Sequence, residues 1–135
     1  MGTPGAHSGG GERMKSRNRR HSFSAALHGV AYTVRTQRNA WIEIAAAGVV
    51  AAAGIWLHIQ AIEWAILALV VTLILALEAV NTAIEAVVDL ASPDIHALAR
   101  IAKDCAAGAL VFSVLGALGV AAAIFGPKLA GWPAG

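Results

Sequence analysis

Charge is scarce in this chain. Only 13% of its 135 residues are Asp, Glu, Lys or Arg, against 58% hydrophobic, and the mean hydropathy is +0.67. A soluble domain carries roughly a quarter charged residues, so a freely soluble globular fold is excluded. Cysteine is nearly absent too. The single Cys105 excludes an internal disulfide and any multi-cysteine metal site, and it reads as a small packing residue at the start of a helix. The first twenty residues are polar and lack an apolar core, so no cleavable signal peptide is expected. Residues 9–16 (Gly-Gly-Gly-Glu-Arg-Met-Lys-Ser) lack a glycine directly before Lys15 and have no strand ahead of them, which excludes a phosphate-binding loop.

Apolar residues are present in excess, in three runs: Trp41 to Leu57, Ile62 to Leu90 and Ala106 to Phe125. Each is close to the length a helix needs to cross the hydrocarbon layer. Arg13, Lys15, Arg17, Arg19, Arg20, Arg35 and Arg38 precede the first run, and Arg100 and Lys103 lie between the second and third. The connection from His58 to Glu63 has no Lys or Arg. The positive-inside rule therefore places the N-terminus and the loop around residues 91–104 in the cytoplasm. The net charge of +2 and pI near 9.1 do not call for nucleic acid, because the cations cluster beside a span, where topology and anionic headgroups account for them.

The expected order is a disordered tail over 1–20, a membrane domain over 21–126 and a short tail over 127–135. Ser22 is a fitting N-cap for a helix over about 22–36, in which Phe23, Ala26, Leu27, Val30 and Val34 recur at helical spacing. That helix either lies in the interface or simply extends the first span. The spans are expected at about 40–59, 62–91 and 104–125. Ser92-Pro93-Asp94 ends the second and Gly126-Pro127 the third, while residues 96–103 form a connection or a lead-in. Gly48, Ala52, Gly54, Gly108, Gly116 and Gly119 offer surfaces for close helix packing. Trp56 and Trp64 mark the outer boundary.

The informative stretch is the end of the second run. Glu78, Asn81, Thr82, Glu85 and Asp89 share one face of a helix whose other faces carry only Ala, Val, Ile and Leu. Acids in a span must face protein, water or a metal rather than lipid. With Lys103 close in sequence and Glu43 a turn inside Asn39, the set suits Mg²⁺ and phosphates. On spacing alone, an ion-coupled transporter or a small channel lines its helices the same way.

Glu78-x-x-Asn81-Thr82-Ala83-Ile84-Glu85-x-x-x-Asp89, followed by His96 and Lys103-Asp104-x-Ala-Ala-Gly, resembles the signature of the prokaryotic diacylglycerol kinase and undecaprenol kinase family. The resemblance runs from about Phe23 to Phe125 and includes Gly29, Asn39 and Glu63-Trp64. It implies an all-α integral membrane protein with three transmembrane helices and an N-terminal amphipathic surface helix, assembled as a homotrimer. Such an enzyme sits in the bacterial cytoplasmic membrane, has active sites between subunits, and uses Mg-ATP to phosphorylate the hydroxyl of undecaprenol or diacylglycerol.

The resemblance makes Glu78 the catalytic base and Glu85 a metal ligand. It assigns Asn81, Lys103, Asp104, Asp94 and His96 to the nucleotide, and Glu43, Asn39, Asp89 and Trp56 to lipid or site support. Gln37 stands where the family usually has a second metal-binding Glu, and Glu43 is the candidate to compensate. That departure also admits a non-catalytic trimeric protein or channel on the same scaffold.

Overall fold

The computed structural model describes residues 9–92 and 96–131, with side chains described from His21 onward. Four helices follow one another: α1 (Gly9–Thr36), α2 (Arg38–Trp56), α3 (Ala61–Ala91) and α4 (Ala97–Leu129). The last three are long and apolar enough to cross a membrane. The chain divides into two compact units, Met1–Tyr32 and Thr33–Gly135.

The first unit is helical from Gly9, upstream of Ser22, so helix occupies part of the stretch expected to be disordered. Glu12, Arg13, Met14, Lys15, Arg17, Arg19 and Arg20 are mostly good helix formers. Adding a residue to an existing helix is far easier than nucleating one, so Ser22 is passed over as a cap.

In the second unit α3 is the central element, packed extensively against α4 and less against α2. Residues 57–60 turn the chain from α2 into α3, with His58 taking a positive φ of 50°. The backbone N–H of Ile59 donates to Gly54 O at 3.1 Å, which folds Ile59 back onto α2. Ile59, Leu67 and Ile124 then form a small core flanked by Val50, Leu57, Trp64, Val120 and Phe125.

At the start of α3, the Glu63 side chain accepts from Gln60 N at 2.6 Å and completes a capping box. The same carboxylate meets Lys128 Nζ at 3.2 Å with both side chains largely covered, which ties the start of α3 to the end of α4. Lys128 is placed for this because α4 continues past Gly126-Pro127 to Leu129. The expected stop at Pro127 is thus corrected. A proline in the last turn forfeits one hydrogen bond while its fixed φ still suits a helix. Gly131, with a φ of 69°, follows the true end.

Of the glycines expected to bring helices together, only Gly54 does so within this chain. A Cβ there would lie 2.9 Å from both Ile59 Cδ1 and Trp64 Cη2, whereas at Gly48, Gly108, Gly116 and Gly119 it would meet nothing within 4 Å. Gly54→Ala is therefore expected to destabilise by about 1–3 kcal/mol, the range for forcing an extra carbon into a packed contact. Gly48→Ala should be neutral or slightly stabilising. Unfolding midpoints in detergent micelles test this, and equal midpoints for the two variants would refute it.

Candidate active site

The buried polar side chains are not part of that core. Thr33, Glu78, Asn81 and Thr82 are all nearly inaccessible, and Glu78 is fully buried. Helical periodicity explains the last three: positions 78, 81 and 82 face inward together on α3 while Val80 and Val87 face outward.

Thr82 Oγ1 donates to the Glu78 carbonyl at 2.8 Å, and Asn81 Nδ2 donates to Glu85 Oε1 at 3.2 Å. These bonds satisfy the hydroxyl and orient Glu85. They leave Asn81 Oδ1 and both Glu78 carboxyl oxygens buried with no hydrogen-bond partner among the described residues, and Glu43 Oε2 from α2 is in the same condition. Glu78 lies within Coulombic reach of both Glu43 and Glu85. Unpaired buried acids are costly, and like charges close together call for a cation or a proton.

Glu43, Asn81 and Glu85 edge a cleft of about 470 Å³ between α2, α3 and α4, with Asn39 also on its polar side and Leu110 and Val111 among the apolar residues of α4; Glu78 and Thr82 do not line it. An apolar groove of about 230 Å³ runs on along the spans and shares Ile42, Glu43 and Val114 with the cleft. Glu43 thus stands where the polar and apolar spaces meet.

Oxygen donors, from carboxyls and side-chain amides, suit magnesium better than a softer metal. Among the described residues no group of three or more His, Cys, Asp or Glu forms a metal cage. None is needed where one or two carboxylates hold the ion and phosphate oxygens complete its shell. The donor set fits.

The other candidates among the described residues do not line the cleft. Lys103 on α4 pairs with Asp89 near the end of α3, with both side chains partly exposed. Asp104 is exposed and pairs with Arg100 at 3.7 Å. His96 is the N-cap of α4, its Nδ1 accepting from Leu98 N at 3.2 Å. Residues 97–103 are therefore the first turns of α4, and the span starts earlier than the expected 104. Gln37 is the N-cap of α2 in extended conformation, with no capping bond from its side chain. Asp94 lies outside the described residues.

Trp56 is exposed at the far end of α2, thirteen residues or about 20 Å along the axis from Glu43. The structure does not bring it to the cleft. Sequence reasoning missed the apolar wall contributed by Ala107, Leu110, Val111 and Val114 of α4. Its only trace is their i, i+3, i+4 spacing within a segment apolar on every side.

An α-helical membrane protein with an acidic cleft at one end of its spans is what this geometry defines. Residues 24–125 match the family described as prokaryotic diacylglycerol kinase, and the chain belongs to that family of membrane lipid kinases. It is 44% identical over 109 residues to a diacylglycerol kinase of Synechocystis sp., covering 80% of this chain and 62% of that protein. It is 43% identical over 109 residues to the undecaprenol kinase of Bacillus subtilis, covering 80% of this chain and 88% of that one. A diacylglycerol kinase of Escherichia coli is 32% identical over 105 residues, covering 73% and 86%. The chain thus spans a little under two thirds of the Synechocystis protein's length.

Proposed function

We propose that this chain transfers the γ-phosphoryl group of ATP to the hydroxyl of a membrane lipid alcohol, undecaprenol or diacylglycerol, at the cytoplasmic face. The observation that carries the reading is the fully buried carboxyl of Glu78, without a hydrogen-bond partner among the described residues, on the same helix face as Asn81 and Glu85, which line a cleft that continues into an apolar groove.

Glu78 accepts the proton of the lipid hydroxyl as its oxygen attacks the γ-phosphorus. The bond from that phosphorus to the bridging oxygen breaks, and ADP leaves. Positioning and charge stabilisation supply most of the rate in such transfers. Glu85, held by Asn81, and the Asn81 carbonyl oxygen would hold magnesium, which supplies neutralising charge to the phosphates. Lys103 leaves Asp89 to meet the nucleotide. An exposed ion pair is worth about 1 kcal/mol or less, so this exchange is easy. Asp104 and His96 border the nucleotide from the same end, and the family resemblance adds Asp94. Asn39 and Glu43 face the lipid hydroxyl, with Glu43 at the mouth of the groove.

Three copies complete the site, each covering apolar faces that one chain leaves open, such as Leu69, Val87 and Phe112.

The two lipid alcohols present the same reacting group, and the Synechocystis and Bacillus subtilis relatives, named for one lipid each, are 44% and 43% identical to this chain. The decisive experiment incubates the protein in detergent micelles with labelled ATP, magnesium and each lipid separately. Label in the lipid fraction supports the reading, and its ratio between lipids names the substrate. Label in neither sinks the kinase reading and leaves the scaffold without catalysis.

Gln37 brings an amide where a carboxylate is expected, and an amide oxygen is the weaker magnesium donor. Gln37→Glu should lower the magnesium concentration giving half-maximal activity by severalfold. An unchanged magnesium titration would remove Gln37 from the metal site.

A further inference from the structure

The cleft and the groove share Ile42, Glu43 and Val114 and so form one continuous space. Its polar part carries two carboxyls and two amides, and no Lys, Arg or His among the described residues lines either part. On α4, Lys103 and Arg100 are engaged by Asp89 and Asp104. Two lining atoms, Glu43 Oε2 and Asn81 Oδ1, are buried with no hydrogen-bond partner among the described residues. Asn81 is only 5% exposed, and its Nδ2 already donates to Glu85 Oε1, so the oxygen is what remains to be met.

The apolar part is equally selective. Apart from Glu43 it is lined by Ala, Val, Leu and Ile alone. On α2 it runs from Ile42 to Val50, and on α3 from Leu75 back to Leu67, each about 12 Å along the helix axis. A magnesium ion meets the acids but leaves the groove unused. An alcohol fills the groove but brings one O–H donor and no charge. A primary ammonium on an alkyl tail meets both parts. It offers three N–H donors and a positive charge, with no acceptor to leave unpaired, and its chain covers the aliphatic walls.

We infer that the cleft and groove together bind a long-chain primary amine, its ammonium held by Glu43, Asn81 and Glu85 and its tail lying along the groove. Charge complementarity names the occupant: acids close together without a cation call for one. The amine takes the place that the proposed reaction gives to the lipid alcohol and the metal, and so competes with both. Its binding is a property of the cleft and does not rest on the kinase reading.

The test uses the full chain in uncharged detergent micelles at about pH 7, where a primary amine is protonated, without ATP or magnesium. Dodecylamine should raise the unfolding midpoint by several degrees and saturably, because a ligand of the folded state alone stabilises it. Butylamine has the head without the tail, and dodecanol the tail without the charge. Dodecyltrimethylammonium charges the micelle as the amine does but has no N–H to donate. All three should shift the midpoint little. Glu43→Gln should raise the dodecylamine concentration giving half the shift by about tenfold, the loss of a hydrogen bond between charged groups. The comparison of probes needs no variant, so misfolding of Glu43→Gln cannot hide the answer. An equal shift by dodecyltrimethylammonium would overturn the inference in favour of micelle charge, and an equal shift by dodecanol in favour of a groove indifferent to the head. An equal shift by butylamine would overturn the role of the groove. A dodecylamine response unchanged in Glu43→Gln would put the amine elsewhere and overturn it as well. No shift by any probe would overturn it and leave the groove to a second copy of this chain. With no nucleotide present, none of these failures bears on the kinase reading.

Discussion

Replacing Glu78 by Gln is expected to lower the rate of lipid phosphorylation by about a hundred- to ten-thousand-fold, the usual worth of a positioned general base, while leaving the fold intact. The amide has nearly the same volume and fills the same buried space between α3 and its neighbours. It keeps a polar group there but cannot take a proton from the lipid hydroxyl. Stability should not fall. Glu78 makes no side-chain hydrogen bond to the described residues and sits within reach of two other carboxyls, so removing its charge relieves a repulsion rather than breaking a bond. A site that lowers stability for the sake of function behaves in this way. Turnover and unfolding midpoint measured on one preparation decide the matter. Wild-type turnover would exclude Glu78 as the base, and a sharply lower midpoint would make it a structural residue.

Lys103→Ala is expected to raise the KM for ATP by about ten- to a hundredfold, as befits a lost hydrogen bond to a charged phosphate, with little change in stability. Its pairing with Asp89 is exposed on both sides, where such pairs contribute about 1 kcal/mol or less. An unchanged response to ATP concentration would remove Lys103 from the nucleotide site. The same variant tests the shared site. Co-assembly of Lys103→Ala chains with Glu78→Gln chains should restore part of the activity if the two residues of one site come from different copies, and should restore none if each copy works alone.

The spans were legible because long apolar runs have few other uses, and the acidic stripe because five polar residues recur at helical spacing on an otherwise apolar helix. Asn81 and Glu85 meet as side chains four apart can, while the Thr82 hydroxyl bonds the backbone carbonyl of Glu78 one turn back. The cleft's other wall was not legible. Leu110, Val111 and Val114 belong to a helix apolar on all sides, and a pattern without polar contrast does not say which face packs. Trp56 was drawn toward the site by resemblance, although its place at the end of α2 follows from counting residues. The outcome at Pro127 turned on tertiary context. Lys128 has a partner in Glu63, and that contact lies outside any local rule for ending a helix. The start of α1 was missed for the opposite reason: a run rich in Arg and Gly looks like tail by composition, while most of its residues from 12 to 20 tolerate helix well.

The ion pairs give the three spans unequal freedom. α3 and α4 are cross-braced twice, by Glu63–Lys128 at one extremity and by Asp89–Lys103 at the other. α2 is held at both extremities without an ion pair among the described residues, by Gly54 against Ile59 and Trp64 at one and by Ala40, only 1% exposed, at the other. Asn39 and Glu43 therefore stand beside a packed point, and their spacing from α3 is set by apolar contact rather than by charge.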